Sequence, residues 1–170
     1  LLKSACRAKD PVIFFESERL YPIRGEVPEG EYTIPIGVAD VKREGGDVTI
    51  VCWGRMVHTA LEGAKLLEAD GIDVEVVDLR TLRPWDRERV AASVAKTHRC
   101  VVVEEGWPQC GMGATVADFV QRECFDDLDA PVTRVHSADV PMSYNKHHEE
   151  LILPDGQKVA EAARMISYAE

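Results

Sequence analysis

Four stretches of the sequence are apolar at nearly every position, which is the pattern of strands that are buried on both faces of a sheet. They span residues 48–53, 74–79, 100–104 and 132–136. Helix-like stretches separate these runs from Val48 onward. The alternation predicts an α/β fold, a three-layer αβα arrangement with a mainly parallel sheet.

Amphipathic helices are predicted between and after these strands, over residues 57–70, 86–97, 113–124 and 157–168. Their apolar residues recur three and four positions apart, as one buried helix face requires. Asp86 can cap free amide groups at a helix start, and Asp70-Gly71 is a helix-stop pattern. We therefore expect helices to cover the sheet on both sides.

The first 47 residues follow no such alternation. Residues 12–15, Val-Ile-Phe-Phe, predict a strand with little chain before it, and residues 21–32 are rich in Pro, Gly and Glu. A strand in this position is expected to be the tail of a larger unit. We interpret residues 1–16 as a remnant of another domain, residues 17–46 as a linker and residues 47–170 as the main domain.

Composition limits the partners of the chain. Its 170 residues, 45% of them hydrophobic, suffice for one sizeable core, and 20 basic against 30 acidic residues give a net charge of −10. This charge repels phosphate backbones and anionic lipids, and no apolar run approaches the roughly 20 residues of a bilayer span. We expect neither nucleic acid nor membrane as a partner. Five cysteines without a Cys-x-x-Cys pair indicate a reducing compartment.

The turn Cys110-Gly111-Met112-Gly113 follows a predicted strand and opens a predicted helix. A glycine-rich turn in that position can hold a phosphate on the helix N-terminus. However, the third glycine of the dinucleotide-binding pattern would fall at position 116, which is Val116. A tight turn that lets the backbone pass close to a neighbour is the favoured interpretation.

Two acidic stretches carry side chains suited to catalysis or metal binding. Glu104-Glu105 ends a strand, where open α/β sheets place ligands, so the two form either a carboxylate pair or a turn cap beside a solvated residue. The segment 147–150, His-His-Glu-Glu, offers metal ligands, but adjacent helical residues point about 100° apart. A solvated polar loop is the favoured interpretation of that segment.

Cationic and histidine side chains do not form a recognisable active site. Arg80, Arg83 and Arg89 are predicted either to bind an anion or to face a carboxylate at a domain interface, which we favour. His58 and His98 have no Ser, Cys or Asp partner at the spacing of a nucleophilic triad. No self-contained active site is therefore visible among these residues.

Several stretches together carry a family resemblance. They are residues 11–16 (PVIFFE), 34–37 (IPIG), 78–86 (DLRTLRPWD), 104–111 (EEGWPQCG), 128–131 (LDAP) and 138–142 (ADVPM). From Leu2 to about Ile166 the chain resembles the beta subunit of the thiamine-diphosphate-dependent pyruvate (2-oxo acid) dehydrogenase component. The resemblance implies the end of its pyrimidine-binding domain in residues 1–16, followed by its C-terminal transketolase-like domain.

The resemblance implies that the chemistry resides elsewhere. In this family the activating glutamate and catalytic histidine lie upstream of the matching region, and the alpha subunit holds the diphosphate and its Mg²⁺. We therefore expect no catalytic or cofactor-binding residue in this chain and no decarboxylation by this piece alone. Ala5 and Asp10 match the surroundings of a structural potassium ion, although Ala8 replaces a usual aspartate ligand.

The partners that the resemblance implies are an alpha subunit, a second beta subunit and the basic subunit-binding domain of the dihydrolipoamide acyltransferase. Asp129 matches the family's partner-binding aspartate, and residues 168–170 fall where further contacts lie. Without the resemblance, Asp129 would be interpreted as a turn residue before Ala130-Pro131. The compartment would be the bacterial cytoplasm, the mitochondrial matrix or the plastid stroma.

Two kinds of alternative stay open. The same domain occurs in branched-chain 2-oxo acid dehydrogenase, acetoin dehydrogenase and deoxyxylulose phosphate synthase. An alternative of another class is a stand-alone module that binds an anion or nucleotide at residues 110–113.

Overall fold

Five strands form one sheet in the order β1-β3-β2-β4-β5 in the computed structural model, which describes residues 1–168. The strands are β1 Asp40–Arg43, β2 Val48–Cys52, β3 Val74–Asp78, β4 Cys100–Val103 and β5 Thr133–Val135. Strands β2 to β5 are parallel, and β1 lies antiparallel to β3 at the edge. The predicted α/β class and all the strands predicted from Val48 onward are confirmed.

The helices are α1 Leu2–Arg7, α2 Met56–Leu67, α3 Arg87–Thr97, α4 Met112–Glu123, α5 Lys146–Ile152 and α6 Gly156–Ser167. Helices α2 and α6 pack on one face of the sheet, and α3 and α4 pack on the other. Asp86 caps α3 by accepting the Arg89 N–H at 3.0 Å, as predicted. The three-layer arrangement follows from these two helix layers. No helix within residues 1–168 is both long and apolar enough to cross a bilayer.

The core is split between the two faces of the sheet. Strand β2 is buried at every position, because Ile50 packs against the α2 and α6 layer and Val51 packs against the α3 and α4 layer. Helices α2 and α6 approach so closely that a Cβ atom on Gly63 would lie 2.7 Å from Val159 Cγ1. The central strands are therefore fixed from both sides.

Two local predictions are wrong. Residues 12–15 are extended but join no strand of the described sheet, and their side chains are exposed. Apolar, β-branched composition favours a strand only where a neighbouring strand supplies hydrogen bonds. Residues 147–150 lie in α5 rather than in a loop, because Asn145 caps the N–H groups of His147 and His148.

The segment predicted as a linker contains ordered contacts. Strand β1 lies inside residues 17–46 and pairs with β3. Just before it, the Gly37 N–H donates to Thr81 Oγ1 at 3.0 Å, and the Ala39 N–H donates to Asp86 Oδ2 at 2.9 Å. The division into residues 1–16, 17–46 and 47–170 stays a prediction.

Candidate functional site

The strand order of the sheet reverses direction between β2 and β4. Strand β3 lies on one side of β2, and β4 lies on the other. Open α/β sheets place ligands beyond the carboxyl ends of strands at such a point. Here those ends carry Arg55 after β2, and Glu104 and Glu105 after β4. These three residues therefore form the candidate site at the carboxyl edge of the sheet.

Glu104 is the centre of this edge and is buried. Its carboxylate accepts the Gly113 N–H at 3.0 Å and a guanidinium N–H of Arg134 at 3.0 Å. The same Arg134 nitrogen donates to the Pro108 carbonyl at 2.6 Å. Together, Glu104 and Arg134 thus connect the start of α4, strand β5 and the turn between β4 and α4.

This carboxylate explains both glycines of residues 110–113, one just before α4 and one in its first turn. A Cβ atom on Gly111 would lie 2.6 Å from either oxygen of Glu104, and one on Gly113 would overlap the same group. The helix N-terminus, which attracts anions, already holds an anion of the chain itself. The tight-turn interpretation of residues 110–113 is supported, and the phosphate interpretation is not.

Glu105 is exposed and forms an ion pair with Arg55 at 3.3 Å. Its carbonyl accepts the Ser137 hydroxyl at 2.6 Å, and the Gly106 carbonyl accepts the Ser137 N–H at 3.0 Å. Glu104 and Glu105 therefore fit the predicted turn cap beside a solvated residue better than a carboxylate pair. One caps a helix, and the other lies in water.

Arg134 and Ser137 were not singled out from the sequence, although Arg134 left a signal. A charged residue inside the apolar run of residues 132–136 indicates a buried partner. That partner is Glu104, 30 residues earlier, and the spacing alone could not identify it.

The other candidate groups do not converge. Arg80 pairs with Asp40 of β1 at 2.6 Å, and His98 contacts the Asp127 carbonyl through Nδ1 at 2.8 Å. The rings of His147 and His148 lie 6.1 Å apart. Across residues 1–168, no group of three or more His, Cys, Asp or Glu side chains could hold a metal ion.

The predicted potassium ligands lie at the start of the chain. The Ala5 carbonyl already accepts the Ala8 N–H at 3.2 Å at the end of α1, and Asp10 is exposed just beyond it. A hard cation needs several oxygen ligands, of which these residues supply two. The potassium assignment of Ala5 and Asp10 stays a prediction.

Asp129 lies on the surface at the amino end of the sheet, before β5. Its side chain is 55% exposed and has one cationic neighbour, Arg99, at 3.5 Å. The Asp129 N–H donates to the His98 carbonyl at 2.9 Å, and its carbonyl accepts the Tyr168 hydroxyl at 3.1 Å. The two predicted partner contacts, Asp129 and Tyr168, therefore lie side by side, whereas residues 169–170 fall outside the described part.

A shallow cavity of about 250 Å³ adjoins Asp129 and is lined by Gln121, Phe125, Leu128, Asp129, Ala130 and Pro131. A second cavity, of about 200 Å³, lies at the start of β3 between Arg43, Glu68, Gly71, Ile72 and Asp73. Carboxylates line both cavities.

Several groups in the protein interior have shifted pKa values, and three of them lie on strands of the sheet. Burial raises the pKa of the Cys100 thiol to about 12 and raises that of Cys52 well above its ordinary value. Desolvation also raises the pKa of Asp78 at the end of β3, where Asp40 faces it from β1. None of these groups borders either cavity or the Glu104 cluster, so their shifts reflect packing.

Comparison with known proteins decides the family. The family model described as Transketolase, C-terminal domain, matches residues 37–159. The chain belongs to the transketolase C-terminal domain family. This transketolase-like domain includes the edge strand β1 within the matched residues.

Several curated relatives of this transketolase-like chain are named as beta subunits of the pyruvate dehydrogenase E1 component. The chain is 47% identical over 96% of its length to the mitochondrial pyruvate dehydrogenase E1 component subunit beta of Pisum sativum, covering 47% of that protein. It is 45% identical over 99% of its length to the corresponding subunit of Rickettsia felis, covering 52%. The chain thus spans about half the length of these relatives, which come from mitochondria and from bacteria.

Solved structures give the same fold. A structure described as "Split gene transketolase, inactive beta4 tetramer" aligns with a TM-score of 0.70 and 33% identity, over 85% of this chain and 46% of that one. A transketolase of Pichia stipitis aligns with a TM-score of 0.54 and 17% identity, over 78% of this chain and 18% of that one, which supports the fold alone. The transketolase-like fold prediction is confirmed.

The residues of this transketolase-like domain do not fit thiamine diphosphate. A diphosphate needs cationic or N–H donors, whereas the first cavity is lined by Asp129, and Arg43 of the second is already paired with Glu68 at 3.3 Å and Asp73 at 3.6 Å. The crevice between β2 and β4 holds Arg55 already paired with Glu105, and the N-terminus of α4 holds Glu104. That the catalytic and cofactor-binding residues lie outside this chain stays a prediction.

Proposed function

We propose that the chain is the C-terminal part of the beta subunit of a pyruvate dehydrogenase (acetyl-transferring) component. The observation that carries this proposal is 43–47% identity across 96–99% of the chain to subunits of that name. The enzyme would decarboxylate pyruvate on thiamine diphosphate and Mg²⁺ and transfer the acyl group to a lipoyl group. This part would act through assembly and docking and would be inactive alone.

The assembly role is supported by exposed apolar side chains near the N-terminus. Ile13 and Phe15 are 81% and 87% exposed in an extended segment without strand partners among the described residues. Such a surface is normally covered by another part of the protein. The rest of the beta subunit would cover it in a heterotetramer with alpha subunits and a second beta subunit. The compartment would be the mitochondrial matrix, the plastid stroma or the bacterial cytoplasm.

The docking role is supported by charge. The chain carries a net charge of −10, and Asp129 is more than half exposed beside the exposed Asp126 and Asp127. A basic subunit-binding domain of the dihydrolipoamide acyltransferase is the complementary partner, because opposite potentials steer association and orient the complex. Asp129 would contact that domain directly.

Docking is tested with the full-length parent subunit assembled with its alpha subunit. Binding of the subunit-binding domain is titrated by calorimetry at low and high salt, with Asp129→Ala, Asp129→Lys and the control Glu105→Ala. Glu105 is an exposed acid at the opposite, carboxyl end of the sheet, where it is paired with Arg55. Loss of affinity in the Asp129 variants alone supports the assignment, and unchanged affinity in them contradicts it.

The substrate is tested on the same assembly. Reduction of an artificial electron acceptor is measured with pyruvate, branched-chain 2-oxo acids and acetoin, which separates this proposal from branched-chain 2-oxo acid dehydrogenase and acetoin dehydrogenase. Preference for pyruvate supports the proposal. Preference for another substrate assigns the chain to one of those relatives instead.

A further inference from the structure

We propose that the cavity beside Asp129 is an apolar anchor site, which receives an apolar side chain of the basic partner next to the cation that Asp129 binds. This inference rests on the proposed docking function and adds the chemistry of the bound segment. We call the surface formed by residues 121, 125 and 128–131 the Asp129 cavity. Its occupant would be a basic segment with one Leu-, Met- or Phe-sized side chain beside an Arg or Lys.

The lining of the Asp129 cavity is largely apolar. Phe125 is 64% exposed at its edge, and Leu128, Ala130 and Pro131 complete the wall. The cavity has a volume of about 250 Å³ and is open to solvent, so an apolar side chain can enter it from the surface. Covering an exposed phenylalanine ring removes apolar surface from water, which favours binding.

The rim of the cavity selects the charge of the occupant. Asp126, Asp127 and Asp129 are all exposed at this edge. Of the nearby cations, Arg122 is paired with Asp118, and Arg99 contacts Asp129 at 3.5 Å. An apolar centre beside charged rim residues is the usual organisation of an interface hot spot. The surface therefore favours a segment that is both basic and apolar.

The cavity wall is preformed. The Asp129 N–H donates to the His98 carbonyl at 2.9 Å, and the Leu128 N–H donates to the Phe125 carbonyl at 3.2 Å. His98 Nδ1 contacts the Asp127 carbonyl at 2.8 Å. Because these bonds fix the backbone of the wall, binding needs little further ordering, which lowers its entropic cost.

A second copy of the chain suits this surface less well. A symmetric contact would bring the same patch of each copy together and place Asp126, Asp127 and Asp129 against their equivalents. Like charges facing each other oppose association. Charge complementarity therefore assigns the cavity to a basic partner.

The test uses the full-length parent subunit assembled with its alpha subunit and titrated with the isolated subunit-binding domain. We expect Phe125→Ala to weaken binding about 10-fold at both low and high salt, as for loss of an apolar hot spot. Phe125→Leu keeps an apolar side chain and should retain most of the affinity. Leu66→Ala removes an exposed apolar side chain from α2, on the opposite face of the sheet, and should change nothing.

Salt dependence separates the two parts of the surface. Asp129→Asn should reduce the change in affinity between low and high salt, whereas Phe125→Ala should leave it unchanged, because only the charged contact is screened. If Phe125→Ala binds like the parent while Asp129→Lys does not, the anchor site is refuted and the docking function stands. If neither variant changes binding, both the anchor site and the docking function are refuted.

The oligomeric state provides a further check. Sedimentation of the assembled Phe125→Ala variant without the subunit-binding domain should match the parent protein. A change in its oligomeric state would mean that a second copy occupies the cavity, and would overturn the inference.

Discussion

The Glu104 carboxylate accepts the Gly113 N–H at 3.0 Å, which places a buried anion of the chain itself at the N-terminus of α4. The glycines at 111 and 113 leave room for this carboxylate rather than for a ligand. Glu104 also binds Arg134 of β5. The carboxyl edge of the sheet, where a ligand would be expected, is therefore built as a structural junction.

Gly113→Ala is expected to destabilise the chain, because the added Cβ would overlap the Glu104 carboxylate. Alanine normally favours a helix over glycine, but the overlap must displace Glu104 from its hydrogen bonds. We expect a net loss of about 2 kcal/mol in the free energy of unfolding, measured in urea by circular dichroism. Gly25→Ala, where nothing lies within 4 Å, serves as control. Equal stability of the two variants would contradict the junction.

Glu104→Ala is expected to cost about 3–5 kcal/mol of the free energy of unfolding, because it leaves the partly buried guanidinium of Arg134 without its carboxylate. Glu105→Ala removes the adjacent, exposed carboxylate, whose ion pair with Arg55 should contribute less than about 1 kcal/mol. Urea unfolding of the two variants measures the difference. Similar losses would show that Glu104 has no special structural role.

The parts of the fold that the sequence predicts well are those fixed by apolar pattern. Strand β2 and its neighbours are apolar on both faces, because helices cover both sides of the sheet. Strand β1, Asp40–Arg43, lies at the edge and carries three charged residues in four positions, so no apolar run marked it. Helix α5 has seven residues, none of them buried, and its only clear local signal is the cap at Asn145.

The candidate site was less predictable because its contacts are distant in sequence. Glu104 meets Arg134 across 30 residues, and the Tyr168 hydroxyl meets the Asp129 carbonyl across 39. The strand predicted at residues 12–15 fails for a related reason, because a strand depends on a partner that the local sequence does not contain. Local pattern therefore identified the turn at residues 110–113 but not the group that it surrounds.

Asp78→Asn is expected to stabilise the chain at pH 7. Desolvation raises the pKa of Asp78 in the folded chain, so the folded state binds its proton more tightly than the unfolded state. The contribution of this carboxyl to stability is then fully present below the unfolded pKa of about 3.9 and is lost as the pH rises through the folded pKa. Urea unfolding should give the variant a larger free energy of unfolding than the parent chain at pH 7. At the acid end of this pH range the two free energies should be equal. A constant difference would contradict this account.

The five thiols should react in two classes. Cys6 and Cys110 are exposed, whereas Cys52, Cys100 and Cys124 are buried, and burial raises the pKa of Cys100 to about 12. Because the thiolate is the reactive form, a thiol reagent at pH 8 should modify two cysteines quickly and the other three only after unfolding. Cys110→Ser should remove one of the fast thiols. Rapid reaction of all five in the folded chain would contradict the packing.

The central claim is that this part of the protein docks its partner and leaves the chemistry to the rest of the enzyme. The most direct measurement compares two activities of the full-length Asp129→Lys enzyme, assembled with its alpha subunit. Decarboxylation of pyruvate with an artificial electron acceptor should equal that of the parent enzyme, while acetyl transfer within the complete complex should fall at least about 10-fold, as for a lost interface hot spot. Equal losses in both activities, or none in either, would contradict the claim.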